Sequence, residues 1–299
     1  MASKGIGSLI AHRDMNTSAS ASLVGNPLSM RMHLNPDVVR SIVGVVAFLA
    51  IWEIGAHSAQ LFASPLPWIG RLPAPEAVMA VWGQLLVQKS YWMDLYLSFL
   101  RVSSGFLVAL LIGVPYGLLL ALNRVAYEVG FPTFEVIRPI PPIAWIPASI
   151  LFWPTQGLSI GFVIFLGAFF TIVLNVIGGT KSIDRRYFKA ATSMGASKLN
   201  IFRRVVLPSV LPSIVVGAVV GMGISWEVVI AGELITGGGS ASGSGSGIGF
   251  FIWNSYVAAG QAAEAKIVVG MISIGIMGYV SSELIRFIGR RVTPWLVVR

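Results

Sequence analysis

Long apolar stretches, separated by short polar segments, are the dominant pattern of this chain. No Asp, Glu, Lys or Arg interrupts residues 102–123 or 205–226, and residues 139–180 form a longer uncharged run. A helix needs about 20 apolar residues to cross a bilayer, so each shorter run predicts one crossing and the longer run predicts two. The pattern therefore predicts an all-α, polytopic membrane protein.

Polar segments and turn residues divide the apolar stretches into six predicted membrane spans. The six are residues 39–59, 97–122, 130–152, 158–179, 205–230 and 266–288. The proline and glycine of Trp153-Pro-Thr-Gln-Gly157 predict a tight turn between the third and fourth spans. Charged and amide side chains at roughly helical spacing in residues 76–94 indicate a connector at the membrane interface rather than a crossing.

Two tails flank the predicted membrane domain, which covers residues 39–292. Residues 1–38 are rich in Ser, Ala, Asn and Gly, and they contain no apolar run of the length that a signal peptide needs. They predict a retained, disordered tail. Residues 293–299 form the second tail. Because six crossings return the chain to the side from which it started, we expect both tails on the same side of the membrane.

Composition agrees with this pattern and narrows the chemistry. Of 299 residues, 55% are hydrophobic and only 11% are charged, and the mean hydropathy is +0.80. Soluble domains carry about a quarter charged residues. The lack of cysteine excludes disulfides, thiolate metal sites and cysteine nucleophiles, and the three histidines are scattered. Since no Ser/His/Asp array or paired carboxylate occurs, we expect no catalytic residue, no metal site and no cofactor in this chain.

The net charge of +9 is explained by membrane topology. If the amino terminus is cytoplasmic, the cytoplasmic segments hold 16 of the 21 Lys and Arg residues: four up to the start of span one, one after span two, seven between spans four and five, and four at the carboxyl end. This distribution satisfies the positive-inside rule. The sequence therefore predicts cytoplasmic termini and no nucleic-acid partner.

The basic loop between spans four and five, residues 184–205, predicts a helix–glycine–helix elbow. Asp184 can cap a first short helix, and Gly195 can end it because glycine tolerates the left-handed conformation. A second helix can run from Lys198 to the membrane at Pro208. A solvated loop that only obeys the positive-inside rule is the alternative interpretation of the same charges.

A specific spacing in this loop resembles the cytoplasmic loop of ABC importer permeases. The family pattern is Glu-Ala-Ala, three residues, Gly, nine residues, Ile, one residue, Leu-Pro. Every spacing matches from Lys189-Ala190-Ala191 to Leu207-Pro208, although Lys189 reverses the charge of the family's Glu and Val205 replaces Ile. In that family this loop is the coupling helix, which sits in a groove of the ATP-hydrolysing subunit. The resemblance implies the same role here for Asp184, Arg185, Arg186, Tyr187, Lys189, Ala190, Ala191, Met194, Gly195, Ala196 and Lys198.

Further segments resemble permeases of the nitrate, bicarbonate, sulfonate and taurine group, over residues 95–290 or so. They are Ser98 to Phe106, Arg138 to Pro147, Asn175 to Tyr187 and Gly247 to Trp253. The last segment is most similar to cyanobacterial nitrate and bicarbonate importers, with extra Ser and Gly at 239–246. The resemblance implies a MetI-like fold in the bacterial inner membrane. The implied partners are a second permease copy, two ATP-binding cassette subunits that bind ATP and Mg²⁺, and an external substrate-binding protein.

A translocation path needs polar groups or broken helices within the membrane. Prolines at 139, 141, 142 and 147 break the third predicted span. Arg138 stands just before this break, and Glu135 lies on the same helical face. Arg138 could offer forked donors to a planar oxyanion, or the two charges could neutralise each other.

Four other side chains complete the candidate path. Glu227 and Glu233, near the outer end of span five, would repel an anion, so pairing with Arg101 or Arg138, or docking of a binding protein, is the favoured interpretation. Trp145 and Trp226 are more typical of packing or of the membrane-interface belt than of a gate.

The Gly/Ser-rich residues 236–249 predict an outer loop that is flexible or shapes the mouth of the cavity. No Gly-Lys-Ser/Thr follows this segment, so the sequence does not indicate nucleotide binding there.

The sequence as a whole predicts the permease subunit of an ATP-driven importer for a small inorganic anion. Nitrate or nitrite is the first choice, and bicarbonate or an organosulfonate is the alternative. The expected mechanism is alternating access, with ATP hydrolysed by partner subunits. An ATPase-independent channel or carrier also fits six spans, but it gives no reason for the spacing of the elbow. A membrane-embedded enzyme lacks a catalytic constellation.

Overall fold

The computed structural model describes residues 36–58, 72–236 and 247–296, and nearly all of these residues are helical. The prediction of an all-α fold is confirmed. The helices of these ranges, numbered in chain order, are α1 (Pro36–Ala56), α2 (Pro75–Leu86), α3 (Lys89–Leu122), α4 (Arg124–Ile137), α5 (Ile146–Phe152), α6 (Gln156–Lys181), α7 (Arg185–Ser193), α8 (Lys198–Ile201), α9 (Leu207–Thr236), α10 (Ile248–Ala258) and α11 (Gln261–Val292). Short 3-10 helices form at Pro142–Trp145 and Pro294–Leu296, and a π-helical turn forms at Phe202–Val206.

The chain divides after Phe48 into two units. The second unit, Leu49–Arg299, holds the end of α1 and all later helices. Most of the predicted amino-terminal tail lies outside the described residues, and its last residues, 36–38, already belong to α1.

Four helices among the described residues are long and apolar enough to cross a membrane. They are Lys89–Leu122, Gln156–Lys181, Lys198–Thr236 and Ala262–Val292. These helices correspond to predicted spans two, four, five and six. The first predicted span falls on α1, whose apolar part is the shorter Ile42–Ala56.

The third predicted span, residues 130–152, is divided rather than continuous. It consists of α4, the 3-10 helix and α5, because the prolines that follow Arg138 cannot donate the backbone hydrogen bonds of a regular helix. At a rise of about 1.5 Å per residue, the 14 residues of α4 extend about 21 Å, which is less than a bilayer crossing. The predicted break is therefore confirmed, and it produces two short helices.

The boundary of the second predicted span needs a correction. Residues 89–94 were expected in an interfacial connector, but they form the first turns of α3. Tyr91 and Asp94 are buried, and the Tyr91 hydroxyl lies 2.6 Å from Ser273 Oγ of α11. Polar side chains that pair with another helix are compatible with a membrane helix, and the sequence pattern does not reveal those partners. The predicted turn before the fourth span is confirmed, since α6 begins after an N-cap at Thr155.

Helix α6 lies at the centre of the second unit, packed between α3 and α9. Its side chains Ile164, Ala168, Ile172, Val173 and Val176 have no exposed surface. Glycines on both neighbours permit the close approach: a Cβ at Gly105 of α3 would lie 2.8 Å from Gly161 O, and one at Gly217 of α9 would lie 2.8 Å from Asn175 Cβ. Small residues at helix contacts are typical of membrane bundles, where close packing drives helix association.

The long helices define two opposite ends of the bundle. The start of α6 lies beside the end of α9, because Gln156 Nε2 donates to Thr236 O at 3.0 Å. The end of α6 lies beside the start of α4, because Lys181 Nζ is 3.8 Å from the centre of the Tyr127 ring. We call the end that carries residues 184–197 the elbow end and the opposite end the far end.

Candidate functional site: the elbow and the buried carboxylate cluster

The elbow begins with a capped helix, as the sequence predicts. The Asp184 side chain accepts a hydrogen bond from the Arg186 amide at 2.8 Å, which satisfies one of the free donors at the start of α7. The Arg186 guanidinium also lies 3.2 Å from the same carboxylate. These contacts fix where α7 begins.

Gly195 ends the first helix in the left-handed conformation, with φ of +76°. The Gly195 amide donates to Thr192 O at 2.9 Å, and the Ala196 amide donates to Ala191 O at 3.0 Å. This is the Schellman arrangement that closes a helix around a glycine. Among the described residues, no neighbouring atom lies within 4 Å of the position of a Cβ at Gly195. The glycine is therefore required by backbone conformation and not by a close neighbour.

Most of the predicted coupling residues face solvent. The exposed members are Asp184, Arg185, Arg186, Tyr187, Lys189, Ala190, Met194, Gly195 and Lys198, whereas Ala196 is half-buried and Ala191 is buried. The two alanines of the pair thus have different roles: Ala190 lies on the free surface, and Ala191 packs inward. Met194 is 80% exposed and Tyr187 is 64% exposed, which leaves two large side chains on a surface that is otherwise mostly charged.

The second helix of the elbow does not stop at Pro208, and this corrects the prediction of a separate loop up to residue 205. Ser197 caps the helix by accepting from the Asn200 amide at 3.3 Å. The chain then continues through α8, the π-turn and α9 as one helix, Lys198–Thr236. In the π-turn the Leu207 amide donates to Phe202 O, five residues back. This wider turn accommodates Pro208, which would otherwise clash with the carbonyl four residues earlier.

The two candidate charges at the broken helix form an ion pair. Arg138 Nη2 donates to Glu135 Oε1 at 2.7 Å, and both side chains remain partly exposed. Trp145, in the 3-10 helix that follows, packs against the main apolar core. Within the part of the chain that the structure describes, its buried ring nitrogen has no hydrogen-bond partner.

Trp226 is buried in α9, and its ring nitrogen donates to Ser281 Oγ of α11 at 2.9 Å. This contact agrees with the expectation of packing. Glu227, on the next position of α9, is exposed and makes no ion pair with any described residue.

Glu233 is the centre of a buried polar cluster at the far end. Its carboxylate has no exposed surface, and Arg101 Nη1 donates to Oε1 at 2.7 Å. Ser98 Oγ lies 2.8 and 2.9 Å from the two carboxylate oxygens, and the Gly249 amide donates to Oε2 at 2.9 Å. Of the alternatives that the sequence left open for Glu233, the structure shows pairing with Arg101. A buried ion pair is tolerated only when its remaining polar atoms also have partners, and both carboxylate oxygens of Glu233 have them here.

The same cluster holds the amino-terminal end of α10. The Gly247 amide donates to Asp94 Oδ1 at 3.1 Å, and the Ile248 amide donates to Ser98 Oγ at 2.9 Å. Two carboxylates thus lie at the positive end of a helix, where negative charge is stabilised. Gly247 has φ of +106°, and a Cβ there would overlap the Glu233 carboxyl group. Residues 247–249 therefore begin a helix and do not belong to the predicted outer loop, whose residues 237–246 lie outside the described ranges.

Sequence reasoning missed Asp94, Ser98, Gly247 and Gly249 as members of this cluster. A signal for them exists: Asp94 and Arg101 are charged residues in a helix long enough to span the membrane, and such residues almost always have a partner. The sequence does not indicate that the partner lies more than 130 residues away along the chain.

The long apolar helices, their small-residue contacts and the buried ion pair define a polytopic helical membrane protein. Residues 113–296 match the family described as "binding-protein-dependent transport system inner membrane component", and the chain belongs to that family.

The relatives of this chain are ABC importer permeases of the nitrate, bicarbonate and taurine group. The nitrate import permease NrtB of Synechocystis is 29% identical over 90% of this chain and 94% of its own length. The bicarbonate transport permease CmpB of Synechococcus elongatus is 30% identical over 85% of this chain and 88% of its own length. The taurine transport permease TauC of Escherichia coli is 29% identical over 94% of this chain and 98% of its own length.

The fold is also similar to a solved structure. A chain of the inward-facing MetNI methionine ABC transporter superposes with a TM-score of 0.52 at 23% identity, over 72% of this chain and 98% of that chain. The predicted MetI-like fold is confirmed.

Proposed function

We propose that this permease is the membrane-spanning subunit of an ATP-driven importer for a small inorganic anion. Two permease copies enclose the path, and two separate ATP-binding cassette subunits bind ATP and Mg²⁺ and carry out the hydrolysis. An external substrate-binding protein delivers the anion, which crosses the bilayer by alternating access. This chain itself catalyses no reaction.

The exposed elbow is the observation that carries the proposal. Its surface presents Tyr187, Met194 and several cations, and Gly195 fixes the angle between its two helices. The second helix continues as Lys198–Thr236, which extends about 58 Å at 1.5 Å per residue. An ATPase seated on the elbow would therefore act directly on a helix that reaches the buried cluster at the far end.

Nitrate, or nitrite, is the proposed cargo. The Arg138 side chain is 37% exposed, and its pairing with Glu135 occupies one guanidinium nitrogen. The remaining donors suit a planar oxyanion. Glu233 is buried and fully paired, so its negative charge does not face a passing anion. Bicarbonate and organosulfonates are the alternative cargoes, since the nitrate, bicarbonate and taurine permeases are similar to this chain to nearly the same degree.

The proposed orientation places the elbow end in the cytoplasm and the far end outside the inner membrane. The cations of the elbow, together with Arg286, Arg290 and Arg291 in the last turns of α11, lie on the side that the positive-inside rule assigns to the cytoplasm.

The test is uptake into proteoliposomes that contain the permease with its two ATP-binding cassette subunits, supplied with ATP inside and the cognate binding protein outside. We expect ATP-dependent uptake of labelled nitrate. If bicarbonate or taurine inhibits the uptake of labelled nitrate more strongly than nitrite does, the assigned substrate would change but the importer assignment would stand. Uptake by the permease alone would overturn the proposal in favour of a channel or carrier.

Arg138→Gln tests the role of Arg138 in the path. We expect several-fold slower nitrate uptake with normal assembly, because the substitution removes the charge and the forked donors. Arg124→Gln is the matched control, since Arg124 also forms an exposed intrahelical pair on α4, with Glu128 at 2.7 Å. Equal rates of nitrate uptake by both variants would show that Arg138 does not contribute to the translocation path.

A further inference from the structure

A cation–aromatic contact links the elbow end of α6 to the start of α4. Lys181 is the last residue of α6 and precedes the N-cap Asp184 by three positions. Its ammonium group lies 3.8 Å from the ring centre of Tyr127 and 5.9 Å from that of Phe131. The two rings are stacked, with their centres 4.5 Å apart. The ammonium therefore lies over an aromatic surface that belongs to a different helix.

The aromatic surface continues along one face of α4. Tyr127, Phe131 and Phe134 are spaced four and three residues apart, so they share a face. Phe134 is buried, and its ring centre lies 5.3 Å from that of Phe170 on α6. The start of α4 is fixed by Asn123, whose side chain accepts from two amides of the first turn. Helix α4 is thus a short rod whose aromatic face packs against α6, and near its start it is joined to α3 through Asn123 and contacts Lys181.

The opposite end of this rod carries Arg138. Arg138 is the C-cap of α4, and it lies 11 residues after Tyr127, which is about 16 Å along a helix. The proline-rich break follows at once. Helix α4 is continuous between these two residues, although Pro132 within it lacks an amide hydrogen, so we expect a displacement of the start of α4 to move Arg138.

We propose that the contact between Lys181 and Tyr127 is a joint that transmits movement of the elbow to α4 and thereby positions Arg138. The inference rests on the proposed function and deepens it by adding a second route of coupling. The first route is the continuous helix Lys198–Thr236, which follows the elbow. The second route precedes the elbow and consists of side-chain contacts. Lys181 is a positioning residue in this scheme and does not touch the substrate.

The experiment uses the assembled importer in proteoliposomes and measures nitrate uptake and ATP hydrolysis in the same sample. Lys181→Met keeps the unbranched stem and removes the cation, and Tyr127→Leu removes the ring. Each is expected to lower the ratio of nitrate transported to ATP hydrolysed at least about threefold, as expected for the loss of a cation–aromatic contact. The double variant should lower this ratio no further than either single variant does, because both changes break the same contact.

Two further variants serve as a conservative replacement of Lys181 and as a control for the loss of a cation. Lys181→Arg retains a cation that can stack on the ring, and it should restore the ratio to near that of the unmodified chain. Arg124→Met removes an exposed cation from the same end of α4 without removing an aromatic contact, and it should leave the ratio unchanged. The proposed role of the Lys181–Tyr127 contact would be rejected if the losses in the nitrate-to-ATP ratio add in the double variant. Equal losses in Lys181→Met and Arg124→Met would also reject it.

A structural readout separates the joint from the proposed function. The chain has no cysteine, so spin labels can be placed at Val129 on α4 and Ser193 on α7 without background. Both positions are exposed. Lys181→Met should broaden the distance distribution between the labels, whereas Arg124→Met should not. An unchanged distribution in Lys181→Met would reject the joint, while lack of ATP-dependent uptake by the unmodified assembly would reject the importer and leave the distance measurement valid.

Discussion

At the level of single residues, the buried charge of Glu233 is surrounded by hydrogen-bond partners. Glu233 receives hydrogen bonds from Arg101, from Ser98 and from the Gly249 amide. The sequence motif that begins at Gly247 is explained by this carboxylate, since the first glycine leaves room for the carboxyl group and the backbone amides point toward it. Two testable consequences follow at this scale.

Glu233→Gln is expected to destabilise the protein. The amide cannot neutralise Arg101, and in either orientation its NH₂ group would face a donor, which is the Arg101 guanidinium or the Gly249 amide. Removing one partner of a buried ion pair costs about 3 kcal/mol, so thermal unfolding in detergent should begin several degrees lower. Glu227→Gln is the matched control, because Glu227 is exposed on the same helix. Equal melting temperatures for both variants would contradict a stabilising role of the cluster.

Gly247→Ala should also destabilise the protein, and a comparison with Gly260→Ala separates two causes. Both glycines have nearly the same backbone conformation, with φ of +106° and +98°. In the described part of the chain, no neighbouring atom lies within 4 Å of a Cβ at Gly260, whereas a Cβ at Gly247 would overlap the Glu233 carboxyl group. Backbone strain of about 1–3 kcal/mol is common to both variants, because this backbone conformation is essentially restricted to glycine. If Gly260→Ala lowers the melting temperature as much as Gly247→Ala does, the overlap has no energetic importance.

Among the secondary-structure elements, some helix ends could be predicted from the sequence and others could not. Asp184 and Gly195 bound α7 through a side-chain cap and a left-handed residue, and both were evident in the sequence. The continuation of the second elbow helix through Pro208 was not evident, because a proline normally marks a helix boundary. The π-turn at Phe202–Val206 removes that boundary, and the presence of such a turn depends on how the neighbouring side chains pack.

Gly195→Val is expected to uncouple ATP hydrolysis from transport or to weaken binding of the ATPase subunits. A β-branched residue at φ of +76° is strained, by about 1–3 kcal/mol, and relieving the strain would change the angle of the elbow. The measurement is the amount of ATPase subunit that copurifies, together with uptake per ATP. Gly178→Val is the control, because Gly178 is an exposed helical glycine near the same end with open space around it. Normal uptake per ATP in Gly195→Val would show that the angle of the elbow is not needed for coupling ATP hydrolysis to transport.

At the scale of the whole molecule, the second unit combines long continuous helices with one broken segment. Helix α6 is enclosed by α3 and α9, and α11 runs antiparallel to α9, as the contact between Trp226 and Ser281 and the close approach of Gly289 to Val215 indicate. The start of α11 therefore lies at the far end, and its Arg-rich last turns lie at the elbow end. This arrangement makes the membrane orientation testable.

Single cysteines at Ser193 and Ala262 should be labelled from opposite sides of the membrane. Both positions are exposed, and the chain has no other cysteine. A membrane-impermeant maleimide should react with the Ala262→Cys variant in intact spheroplasts and with the Ser193→Cys variant only in inverted vesicles, because the cation-rich elbow is expected in the cytoplasm. The reverse pattern would contradict the orientation, and labelling of both from one side would contradict the opposite placement of the two ends.

The membrane class, the elbow and the break of the third span were all predictable from local sequence features. Each of these follows from local physics: apolar length, a capping side chain, a glycine at a helix end, and prolines that lack an amide hydrogen. The folded structure was needed to learn that Glu233 pairs with Arg101, where α3 begins and how far the second elbow helix extends. The reason is that these features depend on contacts between residues far apart in the chain, such as Ser98 with Glu233 and Lys181 with Tyr127, and no local pattern records such pairings.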